Sequence, residues 1–192
     1  MRRVREDHKT RRLRLQDRAG RRKTGLVVRC LQMKIELTRQ EEFICHDAAI
    51  HLAKNNTDYW QTREGGYSTD KSLHDLIAQD AQSIGSEWVV AKYLGLEFDP
   101  FEQKGKTKAD VGSHFEVRWT KYVAGQLIIH EYDRPTDIAV LVTGQAPHYF
   151  IAGWIPIAMA QRPKYRHSKQ PNWWVTQINL QPIENLRRSN YG

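Results

Sequence analysis

Three side chains in one short stretch have types and a spacing suited to phosphate chemistry. They are Asp110, Glu116 and Arg118, within Lys108 to Thr120, KADVGSHFEVRWT. The run after Gly112 alternates like a β-strand, in which every second side chain shares a face. His114, Glu116 and Arg118 then point one way, and Phe115, Val117 and Trp119 point towards a core. Asp110 enters just before the Gly112 turn. Two carboxylates that converge beside a cation suit a divalent metal ion and a phosphate group.

The elements around this stretch must position it. Met33-Lys34-Ile35-Glu36-Leu37 reads as the start of a folded domain. Thr38 and Glu41 have the T-x-x-E spacing of a capping box, so a helix is predicted from Thr38 to about Asn55. The stretch 56–69, with Gly65-Gly66, reads as a loop. Its aromatics Tyr59, Trp60 and Tyr67 either stack on bases or pack over the core. Asp70 or Ser72 caps a second helical region that ends at Gly95. Leu73, Ile77, Ala81, Ile84, Trp88 and Ala91 recur in it at helical spacing, and Gly85 is a candidate break. Glu87 falls within that apolar stripe, either at the helix edge or aimed at a site.

Leu96 to Lys108 is a loop. Its Gly105-Lys106-Thr107 lacks the first glycine of a phosphate-binding loop, since Pro100 stands there. Lys104, Lys106 and Lys108 form a basic edge beside Asp110, and Lys121 follows the central strand; all four are candidate nucleic-acid contacts. Three more strands are predicted downstream, at 126–130, 137–143 and 148–155. The run Ile138-Ala139-Val140-Leu141-Val142 is apolar enough for a strand covered on both faces. His130, Tyr132 and Asp133 either line the same cleft or form a polar turn before Pro135. A short helix is expected at 157–161 and an exposed loop at 162–172. Trp173-Trp174-Val175 re-enters the core or covers it, and Ile178, Leu180, Ile183 and Leu186 pack a C-terminal segment back onto the domain.

Charge is unevenly distributed. The 192 residues carry a net charge of +8. Residues 1–32 hold twelve Lys/Arg and three acids, leaving 18 basic and 19 acidic residues in 33–192. The first segment is a basic arm, disordered when free and attracted to polyanions, or a spurious upstream extension. The basic pI therefore says nothing of the domain in 33–192. Two cysteines without a CxxC pair fit a reducing compartment and offer no zinc site. No apolar run is long enough to span a membrane, so a cytoplasmic location is expected.

The order is a helix with Glu87, then Asp110, then Glu116-Val117-Arg118 on a strand, then further strands. It resembles the PD-(D/E)xK nuclease superfamily, over roughly 85–155. Asp-Val-Gly before the strand, and LVTG followed by GWI, also resemble small phage-borne members. The resemblance implies an α/β, restriction-endonuclease-like fold, with a mixed central sheet flanked by helices. It implies Glu87, Asp110, Glu116 and Arg118 as catalytic residues. Asp110, Glu116 and the Val117 carbonyl would bind Mg2+ or Mn2+. The implied substrate is DNA, or RNA, the implied partner a second copy of the chain, and the implied setting a host cytoplasm. Arg118 stands where the family has lysine. Arginine stays protonated, so it can clamp a phosphate but cannot act as general base. A non-catalytic nucleic-acid-binding or accessory phage protein is the competing expectation. The plainest alternative makes Glu116 and Arg118 an exposed ion pair worth at most about 1 kcal/mol.

Overall fold

The computed structural model describes residues 33–55, 71–102 and 108–189. The basic arm, the aromatic loop residues Tyr59, Trp60 and Tyr67, and Lys104 and Lys106 lie outside them. The order of elements is β1 (Met33–Glu36), α1 (Arg39–Asn55), α2 (Leu73–Leu94), β2 (Phe115–Thr120), β3 (Leu127–His130), β4 (Ile138–Gln145), β5 (His148–Pro156), α3 (Ile157–Ala160) and β6 (Asn172–Val175). Short 3-10 turns surround β6, at Pro163–Tyr165, Gln177–Asn179 and Ile183–Arg188. No helix among the described residues is long and apolar enough to cross a membrane.

Helix starts follow the capping chemistry written in the sequence. The Thr38 hydroxyl accepts the Glu41 amide, and the Glu41 carboxylate accepts the Thr38 amide. Ser72, rather than Asp70, caps α2 and makes the same reciprocal pair with Asp75. These pairs satisfy backbone donors that the helix leaves open. Gly95 closes α2 in the left-handed conformation, at φ 72°.

Four strands form one mixed sheet in the order β1-β5-β4-β2. β5 is antiparallel to β1 and β4, whereas β2 runs parallel to β4. β4 is buried from Ile138 to Thr143, as its apolar run predicts. Its alternation divides the molecule into two cores. Ile138, Val140 and Val142 face the helices α1 and α2. Ala139 and Leu141 face the second core, with α3 and a separate two-stranded ribbon of β3 and β6. The sheet is thus flanked by a helix pair on one face and by a ribbon with a one-turn helix on the other.

Several expectations change in detail. α2 is one continuous helix, and Gly85 does not break it. The glycine instead admits the buried Tyr149 ring, whose Oη would lie 2.6 Å from a Cβ at position 85. Tyr149 donates to Gln82 at that contact. Leu73, the first residue of α2, and Ile178, in the middle of the Gln177–Asn179 turn, are exposed. β2 begins at Phe115, so His114 belongs to the preceding turn. Trp119 is only half-buried, with its indole N–H donating to the Gly144 carbonyl. The 162–172 segment is largely exposed as expected, but leads into a strand that pairs residue for residue with β3.

Gly85→Ala is expected to lower stability by about 1–3 kcal/mol, because overpacking outweighs the gain in helix propensity. Thermal melting checks this. The loss should shrink in a Tyr149→Phe background, where the hydroxyl that meets the added methyl is gone.

Candidate functional site

A tight turn brings Asp110 to the site. Gly112 adopts φ 58°, and Val111 and Phe115 exchange both backbone hydrogen bonds across it. The chain before the turn therefore lies along the outer edge of β2. There the Asp110 Oδ2 accepts the Val117 amide at 2.8 Å. β2 is an edge strand, and an edge amide must find a partner or water. Asp110 thus caps the sheet edge as well as entering the cleft.

Glu116 and Arg118 project from the same face of β2, as alternation predicts. Arg118 Nη1 lies 3.6 Å from Asp110 Oδ2 and 3.3 Å from Glu116 Oε2. It also donates to the Val117 carbonyl at 3.4 Å. These three oxygens are the ones expected to hold a divalent ion. They converge on one cationic centre, and here that centre is the chain's own guanidinium. Its other nitrogen, Nη2, donates to Asp133 Oδ1 at 2.7 Å. Asp133 is buried, its side chain only 2% exposed, and its second oxygen accepts the His130 amide at 2.8 Å.

A second arginine extends the network. Arg134 pairs with Asp137 through Nε at 2.7 Å and lies 3.8 Å from Glu116 Oε1. Four carboxylates (Asp110, Glu116, Asp133 and Asp137) therefore share two guanidinium groups. Burial, then the neighbouring Asp110 charge, pushes Glu116 up to about 7, with Arg118 only partly offsetting them and Asp133 and Asp137 adding to the rise. For Arg118, burial disfavours the charge, but Asp133, Asp110 and Glu116 outweigh it and raise its pKa further.

The network opens into a cleft of about 560 Å³. Asp110, Glu116, Arg118 and Lys108 line one side, and His130, Tyr132, Asp133 and Arg134 line another. α2 contributes Gln79 and Ser83. Burial lowers the His130 pKa and raises that of Tyr132. Lys108 also pairs with Glu102 at 2.9 Å.

The structure thus joins Asp110, Glu116, the Val117 carbonyl, Arg118 and Lys108, as the sequence suggests. It does not place Glu87 in the cleft lining. Glu87 is half-buried on α2, and its charge acts on Cys45 of α1, where burial is the main cause raising the thiol to about 12. Lys121 is exposed at the far end of β2, 5.3 Å from the Tyr122 ring centre, and does not line the cleft. His114 packs on Phe115, with ring centres 4.2 Å apart. For His130, Tyr132 and Asp133 both expectations hold: they line the cleft, and they form the turn before Pro135. Arg134, Asp137, Gln79 and Ser83 were not anticipated. The pattern D-R-P-T-D directly before a buried strand was the available signal for the first two.

Among the described residues, no group of three His, Cys, Asp or Glu side chains is arranged to hold a metal ion. Comparison with family models, with curated proteins and with solved structures finds no match to this chain.

Asp133→Asn should cost about 2 kcal/mol in urea unfolding, since it removes the charge that anchors the Arg118 guanidinium. A second outcome concerns pH. The folded state holds a proton on Glu116 up to about pH 7, whereas the unfolded chain releases it near the ordinary value of 4.5. This group's contribution to stability should therefore fall as pH rises from about 4.5 to 7, by at most about 3 kcal/mol, then level off. Denaturation midpoints across that window measure the slope. Glu116→Gln should remove this part of it.

Proposed function

We propose that this protein is a metal-dependent nuclease that hydrolyses phosphodiester bonds in DNA, on a restriction-endonuclease-like fold. The observation that carries the reading is the convergence of Asp110 Oδ2, Glu116 Oε2 and the Val117 carbonyl on one cationic position. The donor set fits Mg2+ or Mn2+ in kind, being all oxygen. It fits in charge too, because the four carboxylates outnumber the two arginines. The ion and Arg118 Nη1 exclude each other, so metal binding requires the guanidinium to leave that position. When bound, such an ion would polarise a phosphate oxygen and acidify a water.

The chain's own residues supply the rest. Arg134 and Lys108 border the cleft as cations for a phosphate, and Arg118, displaced from between the carboxylates, would join them. Arg118 remains charged and takes no proton. Glu116 is the cleft carboxyl that exchanges its proton near neutral pH. It must be ionised to act as a ligand, so activity should rise as pH increases through the neutral range.

A specific observation favours a second reading. Arg118 is doubly held, by the oxygen set through Nη1 and by buried Asp133 through Nη2. If it stays there, the site keeps the nuclease framework without the ion, and the protein binds nucleic acid without cutting it.

Cleavage assays on plasmid and on labelled single strands, with Mg2+ or Mn2+ and with chelator, separate the two. Under the first reading, cutting requires metal, and Asp110→Asn or Glu116→Gln lowers it at least about a hundredfold. Asp110→Asn retains an acceptor for the Val117 amide, so a thermal melt close to that of wild type should accompany the loss. Arg118→Lys should retain or raise activity. If neither ion produces cutting in wild type or Arg118→Lys, the second reading stands. Salt-sensitive binding that needs residues 1–32 would then be expected.

A further inference from the structure

The chain has no acidic residue from Ile138 to Ile183, yet Arg162, Lys164, Arg166 and Lys169 fall inside this interval. All four are exposed, on the segment that leads into β6. This cationic segment adjoins the cleft. Arg166 pairs with Glu131 at 2.9 Å, between the cleft residues His130 and Tyr132. The segment is also folded onto the ribbon: Arg166 bridges to Trp173, and the His167 amide donates to the Asn172 carbonyl at 2.9 Å.

The ribbon itself carries flat rings. Leu127 pairs with Val175 and Ile129 with Trp173, and these positions belong to the second core. The alternate pairs, Ile128 with Trp174 and His130 with Asn172, therefore lie on the opposite face. Trp174 is stacked with His167, at 4.8 Å between ring centres and 28° between planes. Its indole N–H is tied to the Asn172 side chain at 2.9 Å. At the cleft end, Tyr132 stacks on His130 at 5.0 Å with planes 3° apart, and remains 64% exposed. Two backed, oriented rings thus lie along one face, with a cationic segment beside them and the acidic cleft at one end.

We infer that this face of the β3–β6 ribbon is a track for a single strand of nucleic acid leading into the cleft. The inference rests on the nuclease reading for what the cleft does, and names how its substrate is held. Unpaired bases stack on Tyr132 and Trp174, and the backbone runs beside Lys169, two residues from the His167 ring that backs Trp174. Stacking requires bases freed from a duplex, and exposed cations meet phosphates without sequence preference. The cleft residues Glu116 and Asp133 would repel a polyanion, so a separate cationic surface is needed to bring the strand in. The expected contacts Lys104, Lys106 and Lys121 play no part in this assignment.

The test measures binding of a fluorescent twenty-nucleotide oligo-dT, and of a duplex of the same length, by anisotropy. The full chain is used, in chelator, so that nothing is cut. Tyr132→Ala, at an exposed position, should weaken oligo-dT binding roughly tenfold. It should leave duplex binding within twofold. Lys169→Ala should flatten the logarithmic salt dependence of oligo-dT binding by roughly 0.7. Thermal melts of the variants should match wild type. Oligo-dT affinity and salt slope unchanged in both variants would overturn the track. Equal losses on duplex and single strand would overturn its single-strand character. Binding that follows these expectations in a protein that never cuts would retain the track and remove the nuclease reading; metal-dependent cutting with unaltered binding would do the reverse.

Discussion

One guanidinium shared among three carboxylates is the interaction on which the cleft depends. Arg118 ties the strand that carries it to the turn at Asp133, and ties the sheet edge at Asp110 to the same point. Its single charge cannot neutralise Asp110, Glu116 and Asp133 together. Burial first, and then this surplus, let Glu116 keep its proton towards neutrality. Asp133 is the most buried of the three acids and makes the shortest contact with Arg118, so it holds the ion pair in place. Asp110 and Glu116 stand at longer distances, more exposed, and face the cleft.

The same residues serve the fold. β2 pairs with β4 on one side only, and its other edge would leave backbone groups unpaired. The Val111–Phe115 bridge, the Asp110 carboxylate and the Arg118 side chain cover successive groups along that edge. Such cover prevents association with another strand. It also means that the carboxylate available for chemistry is already oriented by a backbone amide. The fold's demand on Asp110 acts through that one hydrogen bond, and a neutral isostere separates it from the proposed role in the cleft where alanine would not.

Around the cleft, charge is separated by element. Acids cluster at the β2 edge and in the turn before β4, while the segment before β6 is purely cationic. The mixed sheet keeps these regions at its surface because β4, its central buried strand, consigns both of its faces to apolar cores. The ribbon then lies over one of those faces, and its other side carries Trp174 and His130.

Local rules made much of this legible in the sequence. Capping pairs at Thr38 and Ser72, the β4 run and the alternation of Glu116 and Arg118 all depend on neighbours within a few residues, and periodicity or hydrogen-bond spacing reports them directly. The joining of Asp110 to the strand was legible for the same reason, through one glycine turn. Other features depend on contacts distant in sequence. The Gly85 contact is set by Tyr149, sixty-four positions away, so composition alone could only suggest a helix break. Arg118 reaches Asp133 because the chain turns back between β2 and β4, and that ion pair decides which cation occupies the oxygen set. The face that Glu87 presents likewise follows from how α2 packs against α1. The sequence determined the oxygens and the charge; tertiary packing determined what stands between them, because a side chain's partner depends on where distant segments meet.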